Sequence, residues 1–359
     1  MHVDVKLPKP DALGPDRLTA LAEVGTTAEQ RGFSGLWSAE STGDPFLPLV
    51  AVAGATERLE LGTAITVAFA RNPMQLAYTA HDLHLLSGGR LLLGLGSQVR
   101  PHIERRYGML WSRPAARMRE FVEVLRAIWE AWNTGSKLDF RGDFYSHTLM
   151  TPFFSPEPSP SGPPKVYLAA VGDKMTEVAG AVCDGLLPHP FTTERYLREY
   201  TLPTLQRGLD QRGRTLDTFS VSLSGLVVTG RTEEEMAAAR RAAIEQIAFY
   251  GSTPAYYSVL ALHGWEDLGH ELTALSKSDT EDRWSRMGSI IDDDVLNTFA
   301  VVAEPDRLGP AIEARFGDLV DRFSFYAPYD HDHELCSAAM EHLRRAGTAE
   351  RAAAGVREH

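Results

Sequence analysis

The chain has 359 residues, of which 43% are hydrophobic and 23% charged, and a formal net charge of −12. This composition suits a globular enzyme with a sizeable core, and the acidic surplus argues against a general nucleic-acid surface, though not against an anionic ligand held by backbone amides. The apolar runs are too short for a membrane span, the N-terminus has no basic-then-apolar leader, and Cys183 and Cys336 lie far apart without a CxxC, so free thiols in a reducing cytoplasm are expected.

In chain order, His2 to Leu7 reads as a first strand stopped by Pro8, and Arg17 to Arg31 as a helix stopped by Gly32. Gly35 to Glu40 is a second strand that delivers Glu40, Ser41 and Asp44 to a loop, and Pro45 to Ala55 a short helix. Leu59 to Phe69, rich in Leu, Ile, Val and Thr, suits a strand buried on both faces. Asn72 can cap the next helix, with Pro73 at its first position and Gln75 completing a capping box, while Gly88 and Gly89 end it. Arg90 to Leu95 is the following strand. The piece is therefore a right-handed strand, crossover helix, strand unit, with function expected at its carboxyl ends, Thr63 to Val67 and Gly94 to Arg100.

The loop PHIERRYGMLWSRP leads into an amphipathic helix, Ser112 to Trp132. Gly135 to Pro164 reads as an insertion with a small hairpin. Lys165 to Ala170 is strand five, followed by a helix with Asp173 as its expected cap, and Asp184 to Pro188 is strand six, ending at His189. Tyr196 to Arg212 is helical and Phe219 to Thr229 is strand seven. Helical signals follow at Thr232 to Tyr250, Tyr256 to Leu262 and Asp292 to Val302, then strand eight at Arg322 to Tyr326 and a closing helix at Cys336 to Arg345. Eight buried runs separated by helices match an α/β fold of the (β/α)8 TIM-barrel type. The whole chain reads as one domain, with insertions at about 135–164 and about 231–320, the second a helical excursion between strands 7 and 8.

Four groups could do chemistry. Ala169-Ala170-Val171-Gly172-Asp173 leads into a helix start, where unsatisfied amides and the positive dipole end suit a phosphate, although glycine loops of this kind are common and Asp173 opposes an anion unless it caps the helix, with Lys174 a partial offset. Gly94-Leu95-Gly96-Ser97 fits either close strand packing or a ligand ring crossing the backbone. Glu40 could be an acid, a base or a cofactor acceptor, or equally a loop acid paired with an Arg. His102 and His189 lie in loops on the expected active face, whereas His81 and His84 fall on the crossover helix and read as structural. His331, Asp332, His333 and Glu334 lack metal-ligand spacing and read as a solvated turn, so no metal is expected. Trp37, Tyr107, Trp111, Tyr250 and Trp265 could wall a pocket or belong to the core.

The segments GLWSAE, LELGTAITVAFARNP, GGRLLLGLGS, PPKVYLAAVG and VAGAVCDGLL, taken in this order, resemble the luciferase-like monooxygenase superfamily. The resemblance is greatest to the branch that uses the deazaflavin coenzyme F-420. It implies hydride transfer between F-420 and an organic substrate, and a homodimer; the net charge and the short apolar runs leave no nucleic-acid or membrane partner expected. It also implies a non-prolyl cis peptide between Ala64 and Ile65 behind the deazaflavin ring, Ser97 lining the ring pocket, and Ala170, Val171 and Gly172 on the cofactor phosphate. Glu40 stands where the family often has an Asp at the ring, and Glu40 or His102 could relay a proton. Ser41 and Val99 replace a His and a Glu of the sugar-phosphate dehydrogenases, so their substrate is not implied. The alternatives are an FMN-dependent monooxygenase on the same fold and a cofactor-free binding barrel.

Overall fold

A computed structural model describes residues 1–8, 10–329 and 333–353. His331 and Asp332 of the expected solvated turn lie outside them. The chain divides into two compact units: Asp4–Leu187 with Thr204–Ser220, and Met1–Val3 with Pro188–Pro203 and the chain from Val221 onward.

The first unit is built on parallel strands. β1 (His2–Lys6), β2 (Gly35–Ser38), β3 (Glu60–Thr63), β4 (Leu91–Gly96), β5 (Lys165–Ala170) and β6 (Gly185–Pro188) are neighbours in that order. Every residue of β4 is buried, as expected of a strand covered on both faces. The helix Arg17–Arg31 starts at Asp16, whose carboxylate accepts from Thr19 N–H, and ends at Gly32 with φ 86°. Asn72 caps the helix Pro73–Leu86 by accepting from Met74 N–H at 2.9 Å. The amphipathic helix Pro114–Thr134 buries Trp129, whose indole N–H donates to Ala77 O at 3.2 Å.

In the second unit β7 (Ser220–Val228) pairs in parallel with β8 (Arg322–Tyr326), and its last residues pair with Ala300–Val302. Five helices of seven residues or more lie between β7 and β8: Glu233–Gly251, Glu266–Ser276, Arg283–Ser289, Asp293–Phe299 and Pro305–Phe316. Their apolar sides build a core around Phe191, Ile247, Leu272, Leu296 and Phe299.

Three expectations are corrected. The run Leu59–Phe69 is not one strand: β3 stops at Thr63, Thr66–Val67 forms a second short piece, and Ala68–Ala70 is a single turn of helix. Asp173 does not cap the helix Asp173–Val182. Gly172 occupies the cap and Asp173 is the first helical residue, where its charge suits the helix dipole. Asp292–Val302 is not all helix either, because Ala300–Val302 extends to pair with β7. The hairpin expected in the insertion is present, with Phe140–Arg141 antiparallel to Ser146–His147.

Candidate active site

The break after β3 comes from one extra residue. Gly62 pairs with Leu92 and Thr66 with Leu95, so β3 advances four residues while β4 advances three. This is a β-bulge. The peptide between Ala64 and Ile65 is cis, at the position implied by the resemblance. Across the bulge the Thr63 side chain replaces the ladder: its hydroxyl donates to Gly94 O at 2.8 Å and accepts from Gly94 N–H at 2.9 Å.

The glycines of β4 serve this bulge. A Cβ on Gly94 would lie 1.8 Å from Thr63 O, and one on Gly96 would lie 2.7 Å from Ile65 Cδ1. Of the two readings left open for these residues, close packing therefore accounts for both glycines. Ala64 and Ile65 rest on a floor of Trp37, Leu92, Tyr167 and Leu187. Trp37 meets Tyr167 edge-on with ring centres 5.7 Å apart, and its indole N–H donates to Asp4, which is 0% exposed, at 2.8 Å. A buried carboxylate thus fixes the ring that forms the floor.

Glu40, just past β2, is tied to the same bulge. Its N–H donates to Ile65 O at 3.2 Å, and its Oε2 accepts from Val67 N–H at 2.8 Å and from Arg71 at 2.5 Å. Tyr107 donates to its Oε1 at 3.1 Å, and Arg71 also reaches Asp44 at 3.2 Å. Both carboxylate oxygens are therefore occupied, and the pairing with an Arg that sequence left open is present. Burial, followed by the Glu40 charge, raises the Tyr107 phenol above its ordinary value.

Ser97 and the segment 170–172 lie at neighbouring strand ends. Leu95 pairs with Leu168, and continuing that register puts Ser97 level with Ala170. Ser97 donates to the carbonyl of Gln98, a non-glycine residue at φ 58° whose side chain accepts from Val99 N–H. Val171 is 37% exposed and nothing lies within 4 Å of a Cβ built on Gly172. The ten-residue helix Asp173–Val182 follows. Its first amides have no intrahelical acceptor, so the segment fits a phosphate group. His102 begins one turn of π-helix, His102–Arg106, and is exposed, without a hydrogen bond to Glu40.

The second unit carries its own polar and aromatic cluster. His189, just past β6, stacks on Tyr256 at 4.3 Å between ring centres, with Tyr250 edge-on at 4.8 Å, and Tyr250 and Tyr326 share a hydroxyl contact at 3.0 Å. Of the aromatic residues singled out in sequence, Trp37 is core, Trp111 packs edge-on against Phe69 and Trp265 stacks on His263. Sequence reading missed Asp4, Arg71 and the hydroxyl of Thr63. For Arg71 a signal existed in its place between the bulge and the Asn72 cap.

Residues 3–322 match the family described as luciferase-like monooxygenase. The chain belongs to the luciferase-like monooxygenase family. An uncharacterized protein of Mycobacterium tuberculosis (strain ATCC 25618 / H37Rv) is 50% identical over 339 residues, covering 94% of this chain and 98% of that one. The F-420-dependent glucose-6-phosphate dehydrogenase of Amycolatopsis mediterranei (strain U-32) is 26% identical over 343 residues, covering 88% and 90%. Among solved structures, the coenzyme F-420 dependent tetrahydromethanopterin reductase from Methanopyrus kandleri aligns with a TM-score of 0.75 at 19% identity, covering 96% and 99%. The fold is thus the luciferase-like TIM barrel, an α/β fold with eight parallel strands. Among the described residues no helix is long and apolar enough to cross a membrane.

Proposed function

We propose that this luciferase-like protein is an F-420-dependent oxidoreductase that transfers a hydride between the deazaflavin and an organic substrate. The observation that carries the reading is the β-bulge at Ala64–Ile65, set on an aromatic and aliphatic floor. The sequence relative named as an F-420-dependent dehydrogenase supports it.

In this reading the Ala64–Ile65 backbone backs the ring, Ser97 lines its edge, and the amides of Ala170, Val171 and Gly172 hold the phosphate. When bound, the cofactor supplies the hydride chemistry, and the protein supplies orientation. Glu40 anchors the bulge through Ile65 and Val67, with Arg71 and Tyr107 holding its carboxylate in place. Proton relay then falls to an exposed group, His102.

The test is a fluorescence titration of the purified protein with F-420 and with FMN in parallel. Saturable binding of F-420, weakened by Ile65→Gly, supports the proposal. Preference for FMN would move the chemistry to oxygen activation, and no binding of either would leave the cofactor-free barrel.

A further inference from the structure

The cluster around His189 has a direction. Phe191 N–H donates to His189 Nδ1 at 3.0 Å, so Nδ1 carries no proton and, in the neutral ring, Nε2 does. Nε2–H in turn donates to Tyr256 Oη at 3.0 Å. With its oxygen accepting from His189, Tyr256 keeps its own hydroxyl proton for another acceptor, and among the described residues none takes it. The ring is held in place by the stacked His189 and the edge-on Tyr250, whose centre lies 6.2 Å away, so the donor is fixed before any ligand arrives. On the same loop as His189 and Phe191, the buried Thr192 Oγ1 also has no partner among the described residues.

We infer that Tyr256 is the hydrogen-bond donor of a ligand subsite in this unit, taking the neutral oxygen of a ketone-class, ring-bearing molecule. The groups packed on Tyr256 are the aromatic rings of His189, Phe191 and Tyr250, a setting that suits a neutral oxygen better than an anion. Tyr256 is only partly buried, so an apolar ring can approach from its open side while the ring's oxygen accepts from the phenol. Burial keeps the phenol protonated, pushed up to about 12. The inference goes beyond the deazaflavin reading and does not rest on it.

Two measurements test it on the full chain without cofactor. Ring-labelled histidine spectra at neutral pH should show His189 protonated at Nε2. An Nδ1–H ring would overturn the inference, because Tyr256 would then donate to His189. Ligand-observed magnetic resonance should show cyclohexanone binding about five- to tenfold more tightly than methylenecyclohexane, its counterpart without an acceptor oxygen. Tyr256→Phe should erase that preference and keep the thermal unfolding midpoint within a few degrees of wild type. Equal preference in wild type and Tyr256→Phe, or no cyclohexanone binding at millimolar concentration, would overturn the subsite. Neither result would bear on F-420 binding, which the titration above reads separately.

Discussion

Arg71 and Glu40, 31 positions apart in sequence, meet at 2.5 Å across the bulge that follows β3. Side-chain exposure is 8% for Glu40 and 19% for Arg71, so the pair lies mostly out of water. Such a pair matters less for its attraction than for what breaking it leaves behind, a mostly buried guanidinium whose remaining counter-charge is the half-exposed Asp44 at 3.2 Å.

Glu40→Ala is accordingly expected to cost about 2–3 kcal/mol of stability and to weaken cofactor binding, since Val67 N–H, Arg71 and Tyr107 lose their acceptor while the backbone bond to Ile65 stays. Glu40→Gln retains an acceptor and should cost about half as much, and Tyr107→Phe about 1 kcal/mol. Urea unfolding of the three variants checks the order. An alanine variant within about 0.5 kcal/mol of wild type would mean that the carboxylate does not hold the bulge.

The two glycine-containing segments should respond oppositely to the same change. Gly94→Ala places a methyl against the Thr63 carbonyl, and because the clash is with backbone it should cost more than about 3 kcal/mol or prevent soluble expression. Gly172→Ala meets nothing within 4 Å at φ −109°, so stability should stay within about 0.5 kcal/mol. If the segment holds a phosphate, F-420 affinity should nevertheless fall. Thermal melts and titrations of both variants separate the two effects.

Glu29 supplies an acid-side prediction. Its carboxylate accepts from the N–H groups of Glu57, Arg58 and Leu59, the shortest contact being 2.6 Å. Burial pushes its pKa up, but the N–H donors of Arg58, Leu59 and Glu57 outweigh it and hold the carboxyl below its ordinary value. A depressed carboxylate contributes stability that is present above its unfolded pKa and is lost as pH falls through the folded one. Glu29→Gln should therefore flatten the decline in stability below about pH 4.5, which unfolding curves at stepped pH will show.

The thiols supply the alkaline counterpart. Cys183 and Cys336 are free and buried, and burial pushes each up to about 12 from an ordinary 9.0. A raised thiol contributes stability that is present below its unfolded pKa and lost as pH rises toward the folded value, so stability should fall above about pH 9. Cys183→Ala should reduce that slope. At pH 8 a thiol reagent should find both groups unreactive in the native protein and titrate both in denaturant. Rapid reaction of either one in the native state would contradict its burial.

Local sequence was enough to read much of this fold. Hydrophobic runs marked all eight parallel strands, the third alone overrunning its end by six residues, and Asn72, Pro73, Gly32, Gly88 and Gly89 marked helix boundaries because caps and left-handed turns depend on the residue itself and its nearest neighbours. The family resemblance carried by LELGTAITV, rather than local propensity, implied the cis peptide at Ala64–Ile65. The bulge itself escaped periodicity, since one extra residue in an apolar run leaves the pattern unchanged, and only the pairing register with β4 exposes it.

The partners of the functional side chains were decided by tertiary structure alone. Glu40 could be read equally as catalyst or as loop acid until Arg71 and Tyr107 were placed on its two oxygens. Gly94 had two explanations until the Thr63 carbonyl filled its Cβ position. His189 gained a tautomer and a direction only when Tyr256, 67 residues later, came to its Nε2. Sequence by itself determined the strands, their connecting helices and the strand ends where chemistry belongs, because those follow from burial pattern and local capping. Which partners each polar group takes was settled by distant parts of the chain, which meet only when the strands have paired.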